Sequence, residues 1–152
     1  MAYSDFDFYK NVYFGDELTE DNAPKYLEQA SDEVCALTFD RLTKSFPTIE
    51  AHAVKVKKAV CAVAEILYLV DCQKKAVSAQ KTEDGNFRGA VSSVSSGRES
   101  ISYATNGTAS SVYASAAAST QALNDLVRDT AVKYLANVPD SNGVNLLYAG
   151  GC

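Results

Sequence analysis

The sequence predicts a mainly α-helical protein, a small bundle of three to four helices with a β-hairpin-like insertion and an extended C-terminal tail. Three observations predict this class. Apolar residues recur at helical spacing in two segments of the first half and in one near the end. Serine and glycine break that period between residues 81 and 107, and a short apolar run follows Pro139. A length of 152 residues is typical of a single domain.

Residues 1–18 form an aromatic N-terminal arm ahead of the first helix. Its tyrosines and phenylalanines are Tyr3, Phe6, Phe8, Tyr9, Tyr13 and Phe14. Because so many rings are seldom left in water, we expect the arm to pack on the body of the protein or on a neighbouring subunit. A place in the protein's own core agrees with the pattern at least as well as a docking role does.

The first helix is predicted to begin near Thr19 or Asn22. Either residue suits an N-cap, and Pro24 suits the first turn. Apolar residues at helical spacing continue to Leu42. Pro47 lacks a backbone N–H, so the helix is predicted to end before it.

The second helix begins near Ile49 and completes the helical segment 19–80. Its apolar stripe extends from Ala53 to Val70, with the lysines mostly on other faces. Such lysines could bind nucleic acid, but a solvated face is the better interpretation because the net charge of the whole chain is −5.

Residues 81–107 are predicted to be a β-prone insertion. Valine, isoleucine and tyrosine stand among serines, and Ser96-Gly97 suits a turn between two short strands. The composition permits disorder in the isolated chain, while the alternation offers a strand edge with which a partner could pair. A floppy surface loop is the alternative.

Residues 108–138 return to helical spacing. Their apolar stripe extends from Leu123 to Leu135 and ends before Pro139, and the alanine- and serine-rich residues before it form a weaker prelude. Residues 139–152 form the tail, which is apolar, strand-like and glycine-rich near its end. This tail either docks on a partner or folds back onto its own bundle.

Charge and hydropathy exclude several classes of protein. An acidic chain has no general attraction to nucleic acid or to anionic lipid. The first residues show neither the basic nor the apolar region of a signal peptide, and Glu65 interrupts the longest apolar stretch. We therefore expect a soluble protein made in a cytoplasm, with no membrane partner.

No catalytic, cofactor-binding or metal-binding residues are predicted. Standard nucleotide, hydrolase and zinc-protease motifs are absent from the sequence, its four cysteines include no C-x-x-C pair, and His52 has no partner at metal-ligand spacing. A serine- or metal-dependent hydrolase built on residues 92–102 and His52 is a much weaker alternative, because a serine nucleophile needs a nearby base.

The order of several short motifs resembles the head-tail connector family of long-tailed bacteriophages, also called adaptor or head-completion proteins. The first helix carries the family's Ala-Ser-x-x-Val segment at residues 30–34, followed by Thr38 and Arg41. The second helix carries an Ala-x-x-x-x-Ala-Glu-like segment at residues 59–65.

The second half of the chain continues the same resemblance. Residues 93–103 match the family's serine-rich insertion, and Tyr134-Leu135 matches the end of its last helix. The segment 143–150 approximates its Gly-Leu-Leu-Tyr-x-Gly ending, although Val144 and Asn145 separate the glycine from the leucines.

The resemblance implies a structural virion protein and not an enzyme. Such proteins form a ring, usually of twelve copies, beneath the portal protein at the capsid vertex. The ring extends and encloses the DNA channel without sequence-specific binding, and it carries a downstream head-completion, stopper or tail-completion protein. The place of action would be the capsid–tail junction of the virion, after assembly in the host cytoplasm.

The resemblance also implies two sets of interface residues. The inter-subunit set lies in the insertion and comprises Ser93, Val94, Ser96, Gly97, Ser100, Ile101, Ser102 and Tyr103. The portal-binding set lies in the tail and comprises Asn145, Leu146, Leu147, Tyr148 and Gly150. The alternative function is a small helical binding or scaffolding module that acts as a monomer or dimer through an exposed apolar groove.

Overall fold

A computed structural model of the chain describes residues 1–79 and 112–150. Six α-helices lie in these two ranges: α1 (Phe6–Phe8), α2 (Ala23–Leu37), α3 (Arg41–Lys44), α4 (Glu50–Ala79), α5 (112–118) and α6 (Thr120–Leu135). A π-helical turn, Tyr9–Tyr13, follows α1 directly. The prediction of a mainly α protein is confirmed, whereas the β-hairpin-like insertion falls outside the described ranges.

The chain divides into two compact units. The first comprises Met1–Tyr68 with Asp125–Cys152, and the second comprises Leu69–Asn124. The candidate site and its supporting contacts all lie in the first unit.

Helix α2 begins and buries its side chains as the sequence predicts. Asn22 precedes the helix and accepts a hydrogen bond from the backbone N–H of Thr19 (2.8 Å), and Pro24 occupies the first turn. Four residues of the predicted stripe are buried, Tyr26, Leu27, Ala30 and Val34, and Ala23 and Ser31 are buried with them. Burying this stripe against the rest of the unit stabilises the helix.

The prediction that the first helix continues to Leu42 is wrong, because α2 ends at Leu37. The Thr38 hydroxyl donates to the carbonyls of Val34 (3.1 Å) and Cys35 (3.0 Å), and Phe39 and Asp40 then take left-handed backbone with φ of 55° and 58°. Left-handed backbone costs a non-glycine residue about 1–3 kcal/mol. The break redirects the chain into α3.

The middle of helix α4 lies in the core of the first unit. Between residues 59 and 64 it is buried on every side, by Ala59, Val60, Cys61, Ala62, Val63 and Ala64. The sequence predicted only a stripe. A helix that is apolar around its full circumference is one that other elements surround, and here small side chains let them approach closely.

The aromatic arm belongs to this core through Tyr9, which is fully buried. Its hydroxyl donates to Glu65 Oε1 of α4 (2.7 Å) and accepts from the backbone N–H groups of Glu17 (2.9 Å) and Leu18 (3.0 Å). Gly15 lies so close to the Tyr9 ring that an added Cβ would overlap it. The expectation that the arm packs on the body is therefore confirmed at Tyr9.

Glu65 also accepts a hydrogen bond from a second tyrosine of the arm. The Tyr13 hydroxyl donates to Glu65 Oε2 (3.2 Å) and is also hydrogen-bonded to Tyr134 of α6. Burial, and then the neighbouring carboxylate, raise the pKa of Tyr13 far above its ordinary value of 10, and burial likewise raises the pKa of Tyr9. Both phenols thus stay neutral donors that hold the arm to α4 and α6.

Helix α6 ends where the sequence predicts, at Leu135. Val127, Ala131 and Leu135 are buried at the i, i+4, i+8 spacing of a helix that packs one face on a core. After it the chain turns back through Asn137, which has a φ of 61°.

Candidate functional site

The segment after α6 folds back on itself up to Tyr148. Leu146 N–H donates to the carbonyl of Val138 (2.9 Å), and Pro139 and Asn145 form an isolated antiparallel bridge. Gly143, with a φ of 82°, turns the chain between them. The extended tail predicted from the sequence is therefore corrected to a tight loop over this part of the chain.

Asp140 holds this loop together. Its Oδ1 accepts hydrogen bonds from the backbone N–H groups of Asn142 (2.8 Å) and Val144 (3.0 Å), and the residue is 7% exposed. Asx turns of this kind fix loop geometry. The side-chain amide of Asn142 donates to Ser45 Oγ (2.8 Å), so the loop is also fastened to the chain just after α3.

Arg41, the first residue of α3, connects the helical body to the end of the tail. Its Nη2 donates to the backbone carbonyl of Tyr148 (3.0 Å), and its Nη1 lies 3.9 Å from Asp140 Oδ2. Nε is buried without a hydrogen-bond partner. Because the guanidinium is planar, a single side chain can hold both groups at once. Arg41 thereby fixes the position of Tyr148, which lies 107 residues away in sequence.

An apolar groove of about 400 Å³, here called the tail groove, lies beside this loop. Its lining residues are Ala36, Leu37, Phe39, Arg128, Val132 and Leu147. Phe39 is 54% exposed and Val132 37% exposed, so large apolar side chains face solvent here. Exposed apolar groups grouped in this way mark surfaces that bind other molecules.

The structure separates the predicted tail residues into different environments. Leu146 is fully buried in its own fold, so it is not available as an anchor for a partner in this conformation. The side chain of Asn145 accepts a hydrogen bond from Leu147 N–H (2.9 Å) and shapes the turn. Leu147 lines the tail groove, while Tyr148 and Gly150 are exposed.

The predicted inter-subunit residues lie outside the described ranges. They are Ser93, Val94, Ser96, Gly97, Ser100, Ile101, Ser102 and Tyr103.

Sequence reasoning assigned no role to Phe39, Arg41 or Val132, which build this surface. Arg41 stood in a recognised motif, yet nothing in the sequence paired it with Tyr148. Phe39 offered a weak signal, because it is a large aromatic residue off the apolar stripe predicted for the first helix. A large ring at such a position either turns inward at a cost in strain or stays exposed to solvent.

A second cavity, of about 530 Å³, lies where the start of the chain crosses α2 and α3. The Tyr3 ring stacks on Phe46 with 5.6 Å between centroids, and the Tyr3 hydroxyl is 3.3 Å from Thr43 Oγ1. Thr43 Oγ1 also lies 3.1 Å from Cys35 Sγ. These polar groups already bond one another.

The buried thiol of Cys61 is not activated as a nucleophile. Cys35, Cys61 and Cys72 are free thiols. Burial raises the pKa of Cys61 to about 11, so this thiol remains protonated at neutral pH. Cys61 is 0% exposed in α4, where its side chain packs as a small apolar group.

Within residues 1–79 and 112–150 there is no cluster of three or more histidine, cysteine, aspartate or glutamate side chains placed to hold a metal ion. None of the helices described there combines the length and the hydropathy needed to cross a membrane. Comparisons with protein-family models, with curated proteins and with solved structures give no match for this chain.

Proposed function

We propose that this chain is a structural virion protein of the head-tail connector type. It forms a ring under the portal protein, extends the DNA channel and joins the head to the tail. The motif order along the sequence is the origin of the proposal. The observation that carries it in three dimensions is the hydrogen bond from Arg41 to the carbonyl of Tyr148, since it brings the first-helix motif and the C-terminal motif of that order together.

The contacts of Arg41 hold the tail in one conformation, which favours a docking role. A flexible tail loses conformational freedom when it binds, whereas a segment already held in place loses less. Here the chain is fastened at Val138, Asp140 and Leu146, and Tyr148 is then displayed with 52% of its surface exposed. Tyrosine is enriched among the residues that dominate binding energy at protein interfaces. Tyr148 and Gly150 are therefore the proposed contacts with the portal protein.

The acidic composition supports a channel role. A wall around passing DNA works best when it does not neutralise phosphates, because each phosphate contact adds affinity. With a net charge of −5, a ring of such chains would repel DNA on average.

The test of this function is electron microscopy of particles made when the gene is disrupted. We expect separate heads and complete free tails that never join, and supply of the intact protein from a second copy of the gene should restore joined virions. Intact infectious particles from the disrupted gene would overturn the proposal.

Variants refine the same experiment. Supplying Tyr148→Ala or Arg41→Ala in place of the intact protein should leave most heads and tails apart. Lys44→Ala is the matched control, because Lys44 is an exposed basic residue of the same helix α3 with no contact to the tail among the bonds described above. Equal recovery of virions with all three variants would contradict a docking role for the tail.

A helical binding module remains the second candidate, because the tail groove is the kind of apolar surface that it requires. Such a protein would act as a monomer or dimer. The mass of the complex with its partner, measured by light scattering, distinguishes a ring from a one-to-one complex.

A further inference from the structure

The loop after α6 contains an Asn-Gly pair, Asn142-Gly143, the dipeptide at which asparagine is most prone to spontaneous deamidation. Glycine has no side chain to keep its backbone nitrogen from the asparagine Cγ. Both residues are exposed, and a Cβ added at Gly143 would meet nothing within 4 Å. The pair therefore has the composition and the solvent access of a modification site.

Deamidation at this pair is an intramolecular substitution followed by hydrolysis, and it consumes only water. The Gly143 nitrogen attacks Asn142 Cγ, so that the N–Cγ bond forms and the Cγ–Nδ2 bond breaks. Ammonia leaves with the proton that the Gly143 nitrogen gives up, and a cyclic imide remains. Water opens the imide at one of its two carbonyl carbons. Breakage of the new bond gives aspartate, whereas breakage of the original main-chain bond gives isoaspartate.

In the folded loop each of the two reacting groups is held by a hydrogen bond of its own. Asn142 Nδ2, the leaving group, donates to Ser45 Oγ (2.8 Å), 97 residues earlier in the chain. The Gly143 N–H, whose proton has to leave, donates to the Asp140 carbonyl (3.1 Å). The first bond fixes the direction of the amide and the second retains the proton, so both should slow the attack.

Ser45 is the part of this arrangement that a mutation can remove cleanly. Its backbone carbonyl accepts a separate hydrogen bond from the Ser141 N–H (3.2 Å). Asp140 Oδ1 holds the backbone on either side of the pair, at the N–H groups of Asn142 (2.8 Å) and Val144 (3.0 Å). Loss of the Ser45 hydroxyl therefore frees the amide of Asn142 and leaves these backbone contacts in place.

We propose that Asn142-Gly143 is a deamidation site whose rate is restrained by the hydrogen bond from Asn142 to Ser45, and that isoaspartate formed there opens the loop. Isoaspartate adds one atom to the backbone at this position, because the chain then runs through the former side chain. The inference does not rest on the proposed function, since it concerns the chemistry of one peptide bond.

The opening follows from the tightness of the loop. The Pro139–Asn145 bridge and the bond from Leu146 N–H to the Val138 carbonyl (2.9 Å) close the chain on both sides of the pair. A longer backbone between the closing points shifts one strand of the bridge against the other. The Leu146 N–H should then lose its partner and exchange with solvent more readily.

Mass spectrometry of the full chain, aged at neutral pH and then digested with trypsin, tests the proposal. The peptide that follows Lys133 carries the site, and fragment spectra assign the modified residue. A second Asn-Gly pair, at residues 106–107, lies outside the described ranges and in a different peptide. The variants are Ser45→Ala and, as the matched control, Thr48→Ala, which removes an exposed hydroxyl from the same connection between α3 and α4.

We expect the folded wild-type chain to deamidate at Asn142 at least about tenfold more slowly than the same chain unfolded in urea. Ser45→Ala should speed the folded reaction about threefold to tenfold, the factor that one hydrogen bond supplies, and Thr48→Ala should leave it unchanged. Tyr9→Phe, which removes a buried hydroxyl outside the loop, should also leave it unchanged, because the reaction needs only local opening.

Hydrogen exchange of the aged protein tests the second half of the proposal. The Leu146 amide should exchange faster in the isoaspartate fraction than in the unmodified protein. Asn142→Asp is the comparison, since it gains the carboxylate without the extra backbone atom, and it should retain slow exchange at Leu146.

The restraint by Ser45 would be refuted by equal rates in the folded and unfolded chains, or by a Ser45→Ala rate no higher than that of Thr48→Ala. Acceleration by Tyr9→Phe equal to that by Ser45→Ala would also refute it, because the reaction would then proceed through global unfolding. Unchanged exchange at Leu146 in the isoaspartate fraction would overturn the opening of the loop.

Discussion

Replacing Tyr9 by phenylalanine should destabilise the protein strongly, although only one oxygen atom is removed. That oxygen donates to Glu65 Oε1 at 2.7 Å and accepts from the backbone N–H groups of Glu17 and Leu18 at 2.9 and 3.0 Å. Because Tyr9 is fully buried and Leu18 is 2% exposed, water cannot readily take the place of the hydroxyl.

The size of the effect follows from the groups left unpaired. A buried donor or acceptor without a partner costs about 1–3 kcal/mol. The Leu18 N–H would bear this cost in full, whereas the more exposed Glu17 and Glu65 would recover part of it from water. We therefore expect a loss of about 2–4 kcal/mol in the free energy of unfolding. At about 3 °C per kcal/mol for a chain of this length, the Tm should fall by about 6–12 °C.

Thermal unfolding followed by circular dichroism at pH 7 measures this change. Tyr13→Phe is the matched control, since Tyr13 is only partly buried and its bond to Glu65 is longer, at 3.2 Å. It should lower the Tm by a smaller amount. A Tm for Tyr9→Phe within 2 °C of the wild-type value, on the scale of about 3 °C per kcal/mol, would refute the account of the arm as part of the core.

Three further changes test the same fold. Gly15→Ala should cost about 1–3 kcal/mol in chemical unfolding, because the new methyl group meets the Tyr9 ring and overpacks it; an unchanged midpoint would show that the arm can move aside. Leu146→Ala should lower the free energy of unfolding by about 2–5 kcal/mol, because it leaves a cavity. Tyr148→Ala should change it by less than about 1 kcal/mol. The reverse ranking would mean that the tail is not folded back. The protein should lose stability in alkali. The pKa of Cys61 is raised from 9.0 to about 11 in the folded state. Its contribution to the free energy of unfolding is therefore complete below pH 9 and is lost as the pH rises through 11. Cys61→Ala should therefore lose less stability between pH 8 and 11 in Tm measurements, and identical pH profiles would contradict this.

The helices that the sequence predicted well are those whose apolar residues repeat at 3.6-residue spacing. The buried face of α2, from Ala23 to Val34, and that of α6, from Val127 to Leu135, both follow that repeat. A helix that packs on a core buries one face, whichever element it packs against. Its apolar repeat can therefore be recognised without knowing that element.

The end of α2 could not be predicted in this way. Phe39 and Asp40 adopt left-handed backbone without glycine, and the hydrogen bonds of Thr38 and the later anchoring of Arg41 hold them there. The bonds of Thr38 are local, to Val34 and Cys35, whereas the partner of Arg41 is Tyr148, far along the chain. The apolar spacing predicted a helix that continues to Leu42, because spacing alone does not reveal that Phe39 and Asp40 leave the helical conformation.

By itself the sequence determined the helical class, the starts of α2 and α4, and the attraction of the aromatic arm to a core. Only the tertiary structure decided that Leu146 is buried while Tyr148 is displayed, and that Phe39, Val132 and Leu147 line one groove. The physical reason is the range of the interactions. Periodicity indicates which face of one helix is buried. In the loop after α6, by contrast, contacts with residues such as Val138 and Arg41 decide which apolar side chains are buried and which are exposed, and these contacts form only when the chain folds.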